Sequence, residues 1–439
     1  MRRLRPHILA LVLVSSAGCN NTLYDATGVP ASGRLACAEP ATHACLALNA
    51  CMPDDDVLHC ESDCHPCTTG VPGAKAICVA NTCGYECPPG RLKCSAGCCA
   101  ASALAAGGAH ACAITAETRE LLCWGANNDG QLGDGDASGA VQPTPVLVPL
   151  PGPVVAAAAG TAHSCAVLEG GATWCWGRES SFFAGADYAY LPTEVRALAD
   201  ASAVAAGGGH TCAVVAGGAV RCAGAWNPAG AVAGLPVSSG ATAIGAGDDY
   251  TCAVVAGSVQ CWGANDHGQL GAGGEIPQPS AVGIPEPVAA IAVGVHHACA
   301  VTSDAAAPLR CWSRLVGASS DRTAPDQFNP YRLDGVTYPI ALLAAGEAHT
   351  CVVAYAPGDG AECWNNTADS PVIGGTATSA GAPVHVPLAP PVTALAAGYN
   401  HTCAIDGSGS VACWGSGGRG QLGDGQKTTS AAPVPVISR

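Results

Sequence analysis

Residues 395–405 and 411–415 read "LAAGYNHTCAI" and "VACWG". Apolar residues and cysteines alternate there with small or polar ones, and Gly, Asp and Ser bound the runs. A period of two predicts short β-strands joined by a tight turn. The phrase is written seven times. Its other copies are "HACAITAETRELLCWG" (110–125), "HSCAVLEGGATWCWG" (163–177), "HTCAVVAGGAVRCAG" (210–224), "YTCAVVAGSVQCWG" (250–263), "HACAVTSDAAAPLRCWS" (297–313) and "HTCVVAYAPGDGAECWN" (349–365). The first cysteines, 112, 165, 212, 252, 299, 351 and 403, are spaced by 53, 47, 40, 47, 52 and 52 residues, which is the length of a propeller blade. Pro-Val runs between phrases, such as "PTPVLVPL" (143–150) and "APVPVI" (432–437), suit edge strands, which tolerate proline. The pattern predicts an all-β repeat of about four short strands per unit, with no helix.

Within each phrase the two cysteines lie 11, 10, 10, 9, 12, 12 and 10 residues apart, and the variation falls in the turn. Insertions at a hairpin tip leave the residues below it facing each other. Opposed residues at a non-hydrogen-bonded antiparallel site have Cα atoms about 4.5 Å apart, close enough for a disulfide. The expected bridges are Cys112–Cys123, Cys165–Cys175, Cys212–Cys222, Cys252–Cys261, Cys299–Cys311, Cys351–Cys363 and Cys403–Cys413. Each contributes on the order of 2–3 kcal/mol. Metal binding by these pairs is disfavoured, because they lack CxxC spacing and are spread evenly through the repeat.

Composition explains the need for bridges. Aromatics make up only 5% of the chain, so the core is built from Ala, Val and Gly. Small side chains bury little area each, at about 25 cal/mol per Å². The chain has 27 cysteines, a density that points to an oxidising compartment. The N-terminus agrees. "MRRLRPHILALVLVSSAGC" has three arginines, seven apolar residues (8–14) and small residues before Cys19. Seven residues cannot span a bilayer, which needs about 20. Residues 1–18 are therefore expected to be a cleaved leader, and Arg2-Arg3 leaves twin-arginine export open. Ser16-Ala17-Gly18-Cys19 resembles a bacterial lipobox, with Ser16 where Leu is usual; Ser15 and Ala17 also fit an ordinary small-x-small cleavage site. Residues 37–99 hold 12 cysteines and the repeats 14, which leaves Cys19 as the odd one and favours its lipidation. Asn20 after it favours the outer membrane. Loss of Arg2, Arg3 and Arg5 moves the formal charge from −15 to −18. So acidic a surface repels phosphate backbones and anionic headgroups. No nucleic-acid partner is expected, and membrane attachment would run through the lipid anchor alone.

"VAAGGGHTCAVVAGGAVRC" (204–222) and "CWGANNDGQLGDG" (123–135) resemble the repeat of the regulator of chromosome condensation family. The resemblance covers about 104–439. Gly-Gln-Leu-Gly stands intact at 130–133, 268–271 and 420–423, in units one, four and seven. The other four units lack it, and unit three has Ala223 where tryptophan is expected. The resemblance implies a seven-bladed β-propeller. Eukaryotic members act as nucleotide-exchange factors on a nuclear GTPase and contact chromatin. Neither activity is expected of an exported, acidic, disulfide-rich chain; secreted bacterial relatives, including inhibitors of β-lactamase-type enzymes, are the better analogy.

Ahead of the propeller (101–439) the sequence places a linker (19–36) and a cysteine-rich module (37–100) held by about six bridges. Their connectivity is not readable, although the adjacent Cys98 and Cys99 are expected to bond elsewhere. "CESDCHPC" (60–67) has the spacing of a radical iron–sulfur ligand set, but that chemistry needs a reducing compartment and a large barrel. Zinc through His59, Cys60, Cys64, His65 and Cys67, or calcium at Asp54, Asp55 and Asp56, is weaker than a disulfide knot and a solvated turn. Histidine recurs two residues before the first cysteine at 110, 163, 210, 297, 349 and 401, with Tyr250 in the fourth unit. One copy per blade puts these side chains on a ring, too far apart to share an ion, so packing between blades is expected. "NNDG" and "GDGD" (127–136) lack the spaced carboxylates of a calcium loop. No cofactor, metal or catalytic residue is assigned.

Six of the eight tryptophans occupy the CW position and are expected to pack. All three phenylalanines lie outside the phrase. Phe182, Phe183, Tyr188, Tyr190, Trp226, Phe328 and Tyr331, with Tyr338 nearby, form the candidate interface. The expected function is an envelope-anchored, non-catalytic platform for an unidentified protein or cell-surface ligand. The alternatives are a propeller enzyme acting on surface polysaccharide or peptide, and a passive structural coat protein.

Overall fold

The computed structural model describes residues 42–45, 50–53, 71, 73–79, 82–178, 187–224, 237–271, 276–305, 308–313, 327–332, 336, 338–347, 349–355, 360–365 and 383–438. Cys19, Phe182, Phe183, Trp226 and the residues proposed above for zinc, calcium or a cluster lie outside them. The chain forms two compact units, Met1–Pro88 with Arg439, and Pro89–Ser438. In the first, the described elements are two antiparallel hairpins, Thr42–Cys45 with Ala50–Pro53 and Lys75–Val79 with Thr82–Glu86.

The second unit is a seven-bladed β-propeller. Each blade is one antiparallel sheet whose strands run in chain order from the axis outward. In blade 1 these are Ala101–Ala106, His110–Thr115, Leu121–Gly125 and Gln142–Leu147. Blades 2 to 7 occupy 154–194, 201–224, 241–281, 288–332, 340–387 and 392–435. Six have four strands; blade 3 has three among the described residues. Seven inner strands converge on the axis, where only small side chains fit. Ala106, Ala159, Ala206, Ala246, Ala345 and Ala397 accordingly line the central channel, with Val293 the exception. This is the physical reason for an alanine-rich, aromatic-poor composition. The repeated phrase is the hairpin of the second and third strands. Neighbouring blades cover both its faces, so the second strand His110–Thr115 is buried along its whole length. No helix among the described residues is long and apolar enough to cross a membrane.

In every phrase the two cysteines are directly opposite in the ladder, as Cys112 is to Cys123. All seven pairs are bonded, with Cα atoms 4.0–4.1 Å apart. No described cysteine is free. Cys99 bonds to Cys94 rather than to its neighbour Cys98.

Each blade is a contiguous stretch, so the wheel closes without sharing a strand between its first and last blades. A hairpin just before blade 1, Leu92–Cys94 with Gly97–Cys99, reinforces the closing seam instead. Leu92 is fully buried among Ile405 and Val411 of blade 7 and Leu122 and Trp124 of blade 1. The Gly90 amide donates to the Val436 carbonyl at 2.7 Å, and its own carbonyl accepts from Val411 at 2.8 Å. The Ser95 amide donates to Glu120 at 2.9 Å, across in blade 1. The hairpin thus belongs to the second compact unit, which begins at Pro89.

Candidate functional site

The loops between first and second strands carry the motif Gly-x-x-His and gather around one mouth of the channel. They are tied by a closed belt of backbone hydrogen bonds, one per seam, at 2.8–3.4 Å. The amides of Gly108, Thr161, Gly208, Asp248, Val295, Glu347 and Tyr399 donate in turn to the carbonyls of Gly160, Gly207, Asp248, Val295, Gly346, Tyr399 and Gly107. Beneath this belt lies a second one made by side chains. The Nε2 atoms of His110, His163, His210, His297 and His349 meet Ser164, Thr211, Thr251, Thr350 and Thr402 of the next blade at 2.7–2.8 Å. Ser164 donates to the Gln131 carbonyl at 2.9 Å, so it must accept from His110, whose proton therefore sits on Nε2. Burial holds the rings neutral: His110, His210 and His349 fall to about 3, and His163, His297 and His401 to about 4.

Two seams lack the hydroxyl. Blade 5 has Ala298 in that place, and the facing residue in blade 4 is Tyr250, whose longer reach takes its hydroxyl to the His297 carbonyl at 2.6 Å. Blade 1 has Ala111, and neither ring nitrogen of the facing His401 is hydrogen-bonded among the described residues. Replacing Ala111 by Ser should reproduce the arrangement around Ser164, because the Gln421 carbonyl lies at the equivalent place. The expected gain is about 1 kcal/mol, read as a higher melting temperature under non-reducing conditions.

The Gly-Gln-Leu-Gly turns supply a third link. The Gln side chain folds back to accept the amide two residues earlier, at 2.8–2.9 Å in all three copies. This closes the turn and leaves the Gln carbonyl pointing at the next blade. There it accepts the indole N–H: Trp176 on Gln131, Trp312 on Gln269 and Trp124 on Gln421, at 2.8–3.0 Å. The last glycine of the turn has φ near +70°, and in blade 1 a Cβ on Gly133 would lie 2.6 Å from the Trp176 ring. Trp364 and Trp414 follow blades without the motif, and their buried N–H groups find no acceptor among the described residues. Both seams that lack the histidine–hydroxyl link carry the Gln–Trp link, so no seam is without a polar tie.

The channel mouth itself is asymmetric. Gly108 and Gly208 offer only backbone, whereas Thr161, Asp248 and Tyr399 reach across from blades 2, 4 and 7. The Tyr399 hydroxyl donates to Asp248 at 3.1 Å and contacts Thr161, which donates to Asp248 at 3.3 Å. Burial pushes the phenol of Tyr399 well above its ordinary range, so it is a hydrogen-bond donor at neutral pH. Burial, with Asp248 second, also raises the carboxyl of Asp249. Asn400 donates to Glu347 at 3.0 Å. These groups satisfy one another and brace three non-adjacent blades. Sequence reasoning missed them: the first x of Gly-x-x-His is Gly, Thr, Gly, Asp, Val, Glu and Tyr in the seven units, so no repeated residue singles these three out.

Third strands end opposite the histidines, as Gly177 does to His163, Gly224 to His210 and Ser313 to His297. The third strands of blades 2, 3 and 5 therefore end at this same face. Of the candidate interface residues, Tyr188 and Tyr190 lie on the outer strand Tyr188–Glu194, stacked with ring centroids 6.4 Å apart. Tyr188 is 41% exposed, while Tyr190 lies against Gly130 of blade 1. Phe328 and Tyr331 fall on the outer strand Gln327–Arg332, their side chains outside the described set. Tyr338 packs against the core cluster that contains Trp364.

Two models of the regulator of chromosome condensation (RCC1) repeat match the chain, one at residues 120–167 and 256–301 and the other at 101–131 and 392–421. The 120–167 match runs from the third strand of blade 1 to the second of blade 2, so this repeat spans a seam. The ultraviolet-B receptor UVR8 of Arabidopsis thaliana is 25% identical over 349 residues, covering 76% of this chain and 69% of the receptor. The probable E3 ubiquitin-protein ligase HERC3 of Homo sapiens is 29% identical over 194 residues, 40% of this chain and only 17% of the ligase. Among solved structures, human WBSCR16 aligns with a TM-score of 0.61 at 18% identity, over 72% of this chain and 93% of that one. These likenesses establish RCC1 repeats folded as a propeller.

Proposed function

We propose that this propeller is a non-catalytic binding platform whose Gly-x-x-His face recognises a protein or cell-surface partner. The observation that supports it is topological: the third strands that precede Phe182, Phe183 and Trp226 in the chain end at the face that also holds Thr161, Asp248 and Tyr399. Variable loops on a stiff scaffold are the usual setting for recognition, and one relative is a receptor. Bridged cysteines fit an oxidising exterior; export with a lipid on Cys19 at the outer membrane completes the reading. The test uses the mature protein as bait for envelope extracts. Changing Phe182, Phe183 and Trp226 together to Ala is expected to cut recovery of the captured species about tenfold or more. The melting temperature should move by less than about 2 °C. A large fall in melting temperature would make these residues packing groups and remove the proposal.

A further inference from the structure

We propose that Cys212–Cys222 in blade 3 is a thiol-exchange site, the one bridge of the wheel that an external dithiol opens while the fold persists. In the six other blades an outer-strand residue pairs with the third-strand cysteine. Cys123, Cys175, Cys261, Cys311, Cys363 and Cys413 face Val146, Thr193, Ser280, Tyr331, Val384 and Val434. All six are 0% exposed. In blade 3 the one outer pairing among the described residues is Val220 with Val237, and Cys222, paired with Cys212 on its inner side, has no described partner on its outer side. Beside it stands Ala223 in place of the indole that fills the other blades. Residues 221–224 are partly exposed throughout, where the matching 122–125 of blade 1 are buried. Thirteen of the fourteen blade cysteines are 0–1% exposed; Cys222 is the exception.

Exchange depends on access of a thiolate to a disulfide sulfur. One thiolate of the dithiol attacks Sγ of Cys222, the bond between Cys222 and Cys212 breaks, and Cys212 departs as a thiolate. The second thiolate of the dithiol then attacks the reductant's sulfur in the mixed disulfide and releases Cys222. Two electrons pass; the dithiol leaves as a disulfide, and the two protons it lost go to Cys212 and Cys222. The hairpin keeps its six ladder pairs, from His210–Gly224 to Val215–Ala219, and the link from His210 to Thr251. Cys212 itself stays buried with Ala253 and Trp262 of blade 4.

The test is graded dithiothreitol on the full oxidised chain, trapping with iodoacetamide, peptide mass spectrometry and parallel far-ultraviolet circular dichroism. Cys212 and Cys222 should be alkylated about tenfold faster than the other twelve blade cysteines, with the spectrum unchanged. The paired change Cys212→Ala and Cys222→Ala should keep the spectrum and abolish the fast phase among blade peptides. Another blade bridge opening as fast, or every blade bridge resisting until the spectrum collapses, would overturn the proposal.

Discussion

Acidification from pH 7 to pH 4.5 is expected to destabilise the propeller steeply, through its histidine belt. An unfolded histidine titrates near 6.5, and the six buried rings titrate at about 3 to 4. Above 6.5 neither state binds the proton and the full stability is present. Below it the unfolded chain takes up protons that the fold refuses, so stability falls with pH until the folded rings titrate in turn. At pH 5 the loss is about 2 kcal/mol per ring, from 1.36 kcal/mol per unit. Six rings together come to about 12 kcal/mol, the size of a whole domain's stability. Ordinary carboxylates titrate near or below about 4.5, at the lower edge of this window. Melting temperatures measured across it without reductant should drop continuously, and unfolding at pH 5 should take up close to six protons. His210→Gln should lower that uptake by one. A flat profile from 6.5 to 4.5 would mean that the rings already find charge-stabilising partners.

Much of this frame was legible along the chain. Alternation gave the strands, and the spacing of Cys112, Cys165 and their successors gave the blades. The cysteines of each phrase face one another because turn length varies only above them. What stayed hidden were relations between blades. Tyr250 reads as an odd substitution for histidine until Ala298 is known to face it. Gln131 and Trp176 look like two motifs of two units, and only the ring makes them one hydrogen bond. Thr161, Asp248 and Tyr399 are 87 to 238 residues apart along the chain, and no periodicity joins them. Cysteine density groups the hairpin at 92–99 with the front segment, yet its one bulky apolar side chain, Leu92, belongs to the core between blades 7 and 1. Local pattern fixes what a strand buries; contacts made by closing a circle have no local signature.

The glycine of Gly-x-x-His gives the sharpest mutational test of that circle. At Gly294 the backbone is ordinary, so the residue is not there for its conformation. A Cβ built on it would lie 2.2 Å from the Gly346 carbonyl oxygen of the next blade. That oxygen is the acceptor for Val295 in the backbone belt, and it has no slack to retreat. The same collision recurs at Gly107, Gly160, Gly207, Gly346 and Gly398, at 2.3–2.4 Å, so each blade touches the next through a Cα hydrogen. Relief requires the blades to splay, which loosens the belt and the His297–Thr350 link below it. Gly294→Ala is therefore expected to cost about 3 kcal/mol, the upper range for overpacking a close-packed core. Gly418 is the matched control: nothing lies within 4 Å of its Cβ position. Alanine there should be neutral or stabilise by up to about 1 kcal/mol, through the unfolded chain. Denaturant unfolding of both variants under non-reducing conditions reads the difference. Equal stabilities would show that neighbouring blades are not in contact at the axis, and the belt of seven amides would fall with them.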